Sequence, residues 1–196
     1  MLNIAPVTLE GKYVRLEPLR HAHIEGIWEA GRYENIWTYM SIKIDRLEDA
    51  VSFVETAMRN EEEGIDLPFA ILSREDGKVI GSTRFLNIAR KDRGLEIGFT
   101  WLTPSVWKSA INTECKYLLM RHCFEQLGCI RVQLKTDSRN LNSQRAIARI
   151  GGVREGVLRN HMILPDGYVR DSVYFSITHT EWKNVQEKLH LLLFRE

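Results

Sequence analysis

The sequence predicts an α/β (α+β) fold with a mixed, mostly antiparallel sheet flanked by helices on both faces, and three observations carry that expectation. Apolar periodicity switches between two and 3.6 residues in the order β-α-α-β-β-β-α-β-α-β-β-α. Asp76-Gly77 and Pro165-Asp166-Gly167 are turn signals between alternating runs, so they supply antiparallel hairpins. The stretch from Gly94 to Gly151 reads strand, polar connection, helix, strand, short helix, which makes residues 94 to 134 a parallel crossover.

Taken in order, Tyr13-Val-Arg-Leu-Glu-Pro-Leu19 alternates as a half-buried strand, and a helix with Ile24, Ile27 and Trp28 on one face follows. Leu47, Val51, Val54 and Met58 repeat at helical spacing, with Asp45 and Glu48 placed as a capping box. Phe69–Leu72 and Lys78–Leu86 form the hairpin around Gly77, and residues 94–102 the next strand. A helix over 110–127 turns Ile111, Cys115, Leu118 and Leu119 inward and stops at Gly128. Ile130–Leu134 is a strand, Ser143–Ile150 a short helix closed by Gly151-Gly152, and a last hairpin turns at Gly167. Trp182, Val185, Leu189 and Leu192 mark a C-terminal amphipathic helix.

At 196 residues and 44% apolar content, with no repeat, low-complexity tract or linker, the chain is expected to be one domain spanning 1–196. Lys plus Arg (27) nearly balance Asp plus Glu (26), and the net charge of +1 argues against nucleic acid or anionic lipid as partner. Cys115, Cys123 and Cys129, separated by seven and five residues, fit no zinc spacing and read as reduced thiols. The six histidines are likewise scattered, so no metal is expected. Without eighteen consecutive apolar residues or a signal-peptide pattern at the N-terminus, a cytoplasmic, membrane-free protein is expected.

Five segments stand at the junctions of these elements: Gly11–Leu19, Gly94-Leu-Glu-Ile-Gly-Phe99, Asn112-Thr-Glu-Cys115, Thr136–Asn140 with Asn142–Ala146, and Asp166-Gly167 with Arg170-Asp-Ser172. In their order and spacing they resemble the GNAT superfamily of acetyl-CoA-dependent N-acetyltransferases, in its RimJ/RimL-like branch. The resemblance covers nearly the whole chain and implies a direct acetyl transfer from acetyl-CoA, as co-substrate, to an amine acceptor. It further implies that Trp107, Lys108, Ser109, Ala110, Ile111 and Asn112 hold the pyrophosphate on backbone amides at a helix start. The backbone around Phe99, Thr100 and Trp101 would pair with the pantetheine amides, with the amide of Phe99 or Thr100 facing the developing oxyanion. Ser143 would protonate the coenzyme A thiolate, Asn140 would orient the pantetheine end, and Glu96 would act as general base.

Plainer readings stand beside these. Serine and asparagine are the commonest helix N-caps, and Glu96 also reads as a surface glutamate paired with the cross-strand Arg84. Trp28, Trp37, Trp101 and Tyr39 line an acceptor pocket or pack in the core. Cys115 and Cys123 read as small core residues. The pyrophosphate segment departs from the family's Arg/Gln-Gly-x-Gly-x-Gly/Ala pattern, since Lys108 and Ala110 replace glycines and are expected to remove positive-φ freedom. That departure motivates one alternative, a non-catalytic acyl-CoA-binding or regulatory protein. The apolar tail Leu189–Phe194 motivates another, an assembly module, since the tail either closes the core or forms a homodimer face. The acceptor carries no readable code; protein N-termini, polyamines, antibiotics and amino acids all remain open.

Overall fold

Among residues 1–194, which the computed structural model describes, eight strands form one sheet. They are β1 (Leu9–Glu10), β2 (Val14–Pro18), β3 (Leu67–Ser73), β4 (Val79–Ala89), β5 (Gly94–Leu102), β6 (Arg131–Asp137), β7 (Val153–Ile163) and β8 (Val169–Thr178). Their spatial order is β1-β2-β3-β4-β5-β6-β8-β7, and β5–β6 is the parallel pair in an otherwise antiparallel sheet. The helices are α1 (Ile24–Gly31), α2 (Leu47–Glu62), α3 (Ile111–Arg121), α4 (Leu141–Arg149) and α5 (Trp182–Phe194). The two-residue β1 is an addition to the order read from the sequence, too short to show a period.

Two apolar clusters bury the two faces of the sheet. On one face Phe69, Phe85, Leu95, Ile97, Val132 and Leu134 meet the inner sides of α3 and α5. On the other, Leu19, Ile27, Phe53, Val54, Ala70 and Trp101 pack with α1 and α2. Helical spacing placed these stripes to within one residue. In α2 the buried positions are Ala50, Phe53, Val54 and Ala57, with Leu47 exposed, and the cap is Asp49, whose carboxylate accepts from the amides of Asp45 and Arg46 at 3.0 Å each, rather than Glu48. In α5 it is Leu193 that turns inward and Leu192 that faces solvent, because the buried series Trp182, Val185, Leu189 continues at four residues.

Three boundaries also differ. The long helix is α-helical to Arg121 and then widens into a π-helical turn, His122–Gln126, before Gly128 at φ +68° ends it. β6 runs on to Asp137, because its polar residues pair fully with β8. α4 begins at Leu141, since Asn140 caps it by accepting from the Ser143 amide at 3.0 Å.

A buried carboxylate ties α3 to the sheet. Glu114, 1% exposed, accepts from the amides of Lys12, Tyr13 and Val14 at 2.7–2.8 Å, so the Gly11–Leu19 and Asn112–Cys115 segments meet through one side chain. A Cβ on Gly11 would lie 2.4 Å from that carboxyl carbon, which is why the turn carries a glycine.

Candidate active site

The parallel pair is short. β5 and β6 pair only at Gly94/Arg131, Leu95/Val132 and Glu96/Gln133. Beyond these residues each strand stays bonded to its outer neighbour, β5 to β4 and β6 to β8, so the sheet opens like a V toward the C-terminal ends of both strands. α3 follows β5 and α4 follows β6, which brings two helix N-termini to the open end. Ligands of α/β sheets commonly bind at the carboxyl ends of strands that part in this way.

A β-bulge shapes one wall of the opening. Ser82 faces Trp101 and Arg84 faces Gly98, so Thr83 alone stands opposite Phe99 and Thr100. Phe99 and Thr100 thus pair with neither β4 nor β6, and Phe99 takes φ +51°, a left-handed conformation uncommon for a residue with a side chain. The Thr100 hydroxyl lies 2.7 Å from that of Thr83 and accepts from the Lys116 ammonium at 2.7 Å. The Phe99 ring covers the Arg84 guanidinium at 4.4 Å, while Trp101 is 4% exposed, packed in the core against Trp37.

At the start of α3 the backbone retains the shape the sequence put in doubt. Lys108 sits at φ +59° without being glycine, and Ala110 at φ −69° needs no glycine. The expectation that Lys108 removes positive-φ freedom is therefore corrected: the neighbouring contacts impose the conformation. The Trp107 indole donates to the Leu102 carbonyl at 2.7 Å and the Ser109 hydroxyl to the Val106 carbonyl at 2.6 Å, and these pin the turn from both sides. The helix has no side-chain cap, and its first bond of helical spacing runs from the Glu114 amide to the Ala110 carbonyl. The Ser109 hydroxyl accepts from the Ile111 amide at 3.3 Å. Trp107, Lys108 and Ser109 are exposed, and Ala110, Ile111 and Asn112 half-buried, so the segment is open to a ligand's anionic group.

Across the V, Asn140 is occupied as the cap of α4, and Ser143 is half-buried. Among the described residues the Ser143 hydroxyl bonds to no protein group, which leaves it free to donate.

Glu96 lies at the apex, where the strands part, and is 2% exposed. One oxygen accepts from Asn87 and from Gln133 at 2.9 Å each, and the other lies 3.4 Å from the Lys135 ammonium. The expected surface pairing with Arg84 is overturned, because Arg84 is itself buried and bonds Asp66 at 3.0 Å. Glu96 heads a polar row on the α1/α2 face that sequence reasoning missed. Tyr174 lies beside Lys135, His161 bridges the Ser172 hydroxyl at 3.0 Å and the Tyr174 hydroxyl at 3.3 Å, and Asp137 binds Arg139. Burial, with Lys135 and Arg170 nearby, holds His161 below the ordinary histidine range. Burial and then the Glu96 charge raise Tyr174. Burial works against the charge on Asp137, yet its bonds to Arg139 and the nearby Arg170 lower it overall. Arg139 stacks on Tyr168 at 3.4 Å and Arg170 donates to the Tyr39 carbonyl at 3.1 Å, so loops on either side close the end of this row. Period-2 alternation along β6 and β8 was the available signal, but it required knowing that those strands are neighbours.

The cysteines are free and buried, and burial pushes Cys115 up to about 12, which leaves little thiolate at neutral pH. No group of His, Cys, Asp and Glu among the described residues is arranged to hold a metal ion, and no helix there is long and apolar enough to cross a membrane.

The acetyltransferase (GNAT) domain family matches residues 14–153. Among curated proteins, "Uncharacterized N-acetyltransferase YoaA" of Bacillus subtilis (strain 168) is 27% identical over 172 residues, 86% of this chain and 95% of its own length. "Putative ribosomal N-acetyltransferase YdaF" of the same organism is 30% identical over 108 residues, 55% of this chain and 58% of its own. Among solved structures, a GCN5-related N-acetyltransferase from Brucella melitensis superposes with a TM-score of 0.90 at 27% identity, covering 96% of this chain and 86% of that one. A structure from T. thermophilus described as a "putative acetyltransferase" superposes at 0.89 with 36% identity, covering 98% and 100%.

Proposed function

The chain belongs to the GNAT acetyltransferase family, and from that premise we propose that it is a cytoplasmic N-acetyltransferase, acting as one unit, which moves an acetyl group from acetyl-CoA directly to a primary amine. The observation that carries this reading is the opening between β5 and β6 with the starts of α3 and α4 at its mouth. Acetyl-CoA supplies the activated thioester; the remaining steps belong to the chain's own residues. In the Trp107–Asn112 segment the amides of Lys108, Ser109, Ala110 and Asn112 hold the diphosphate, those of Trp107 and Ile111 being engaged by the Pro104 carbonyl and the Ser109 hydroxyl. Lys108 at φ +59° supports that role and weakens the motive for a non-catalytic acyl-CoA binder. The unpaired backbone of Phe99 and Thr100 offers amides to the thioester oxygen as it gains charge. Ser143 donates a proton to the departing sulfur, and Asn140 fixes the Ser143 amide. Glu96, already engaged by Asn87, Gln133 and Lys135, takes the amine proton through a water rather than by direct contact.

The acceptor is a protein N-terminus or a small-molecule amine. The RimJ/RimL-like reading favours the former, and the name of the YdaF relative points the same way. Leu191, Leu192 and Phe194 are exposed and form the face on which a second copy would seat; mass measurement in solution before and after their replacement by polar residues checks that homodimer. Calorimetry with acetyl-CoA, followed by coenzyme A release with a panel of peptides and small amines, tests the whole reading, and absence of binding would sink it. Ser143→Ala and Glu96→Gln each lower kcat by about 10²-fold with folding unchanged; unchanged rates would remove those residues from the mechanism.

A further inference from the structure

Lys116 has no place in the chemistry above, yet its position is costly. It lies in the second turn of α3, 6% exposed, and among the described residues it forms no salt bridge; its one hydrogen bond is the 2.7 Å contact to the Thr100 hydroxyl. The Glu96 carboxylate is already matched by Lys135. A buried cation with one neutral partner destabilises a fold, and a methionine or leucine would fill the same space without that penalty. Burial accordingly lowers its pKa to about 8.

What the ammonium touches is the bulge. Lys116 donates to Thr100, and Thr100 lies 2.7 Å from Thr83, the residue that faces the bulge from β4. The Thr83 and Thr100 hydroxyls each reach the Gly98 carbonyl at 3.4 Å. Because the Lys116 ammonium can only donate, the Thr100 hydroxyl accepts from it and turns its own hydrogen toward Thr83 or toward the Gly98 carbonyl, so the two hydroxyls stay bonded to each other in either direction. One side chain from the helix beneath thereby orients a hydrogen-bonded set around a strained turn at the opening.

We propose that Lys116 is a positioning residue for acetyl transfer: through Thr100 and Thr83 it holds the Phe99–Thr100 bulge in the conformation that presents its amides to the thioester. This rests on the acetyltransferase reading, and its test separates the two. Lys116→Met and Thr83→Val are compared with wild type and with Thr83→Ser, which keeps the hydroxyl. The measurements are kcat, KM for acetyl-CoA, thermal midpoint, and the amide resonances of Phe99 and Thr100 in the protein without substrate.

Lys116→Met and Thr83→Val are expected to lower kcat by about tenfold or more while KM for acetyl-CoA moves less than about twofold, as misplacement of a transition-state contact predicts. Lys116→Met keeps or raises the thermal midpoint, Thr83→Ser recovers the rate, and the two amide resonances shift in both impaired variants. Wild-type rates in Lys116→Met, or rates in both variants that fall only in step with loss of folded protein, would overturn the proposal. Should wild type itself neither bind acetyl-CoA nor release coenzyme A, the acetyltransferase reading fails, and Phe99 and Thr100 resonances unmoved in Lys116→Met would still overturn the clamp.

Discussion

Lys116 and Glu114 sit two residues apart on α3 and show how a buried charge behaves with and without partners. The Lys116 ammonium releases its proton near pH 8 in the folded chain, against 10.5 for an unburied lysine, because burial outweighs the opposing charges of Cys115 and Glu96. Between those values the unfolded chain binds more protons, so stability rises with pH across that window and the full cost is present below pH 8. A shift of this size corresponds to about 3 kcal/mol, part of which the Thr100 hydrogen bond offsets. Lys116→Met should therefore raise the thermal midpoint most at pH 7 and progressively less toward pH 10, a trend that melts across that range will check. Glu114 is the opposite case, with three backbone amides on its carboxylate. Its replacement by alanine leaves three orphaned donors and should cost about 3 kcal/mol or more in denaturant unfolding. Neither role was legible in the sequence: both residues occur in a helix whose positions from Thr113 to Met120 are all buried, and periodicity cannot mark a polar residue on a helix with no exposed side.

At the scale of elements, the sequence revealed helices and hairpins well and the irregularities poorly. Leu95, Ile97, Phe99 and Trp101 alternate without interruption, which predicts one shared face. The structure puts Leu95 and Ile97 with α3 and Trp101 with α1 and α2, because the bulge at Phe99 inserts one residue and reverses the pleat. Gly98 stands at the edge of that bulge and was the local signal for it, but the residue that takes the left-handed conformation is the neighbouring Phe99, which the strand pattern did not announce. The turn before α3 is similar: its missing glycines suggested a lost cradle, while contacts from Trp107 and Ser109 hold Lys108 in the left-handed region. If this geometry is what binds acetyl-CoA, Lys108→Gly keeps the affinity, whereas the β-branched Lys108→Val, which resists positive φ, should weaken Kd by about tenfold in calorimetry. The candidate residues named from the sequence, Asn140, Ser143 and Glu96, were legible from junctions and strand alternation, whereas the partners that surround Glu96 and the row of Lys135, Tyr174 and His161 were not, because they come from strands distant in sequence.

For the whole molecule, the decisive feature is that β5 and β6 share three residue pairs and then separate. The gap passes through the sheet, with α3 and its uncapped start on one side and the polar row from Glu96 to His161 on the other. Under the proposed function, a thioester on the α3 side and an amine on the side of the polar row would not have to take turns, since neither would occupy the other's path. Both would be present at once, and the proposed reaction would proceed through a ternary complex. Initial rates measured against one substrate at several fixed levels of the other should give intersecting double-reciprocal lines, and a parallel set would mean that the acyl group pauses on the protein instead.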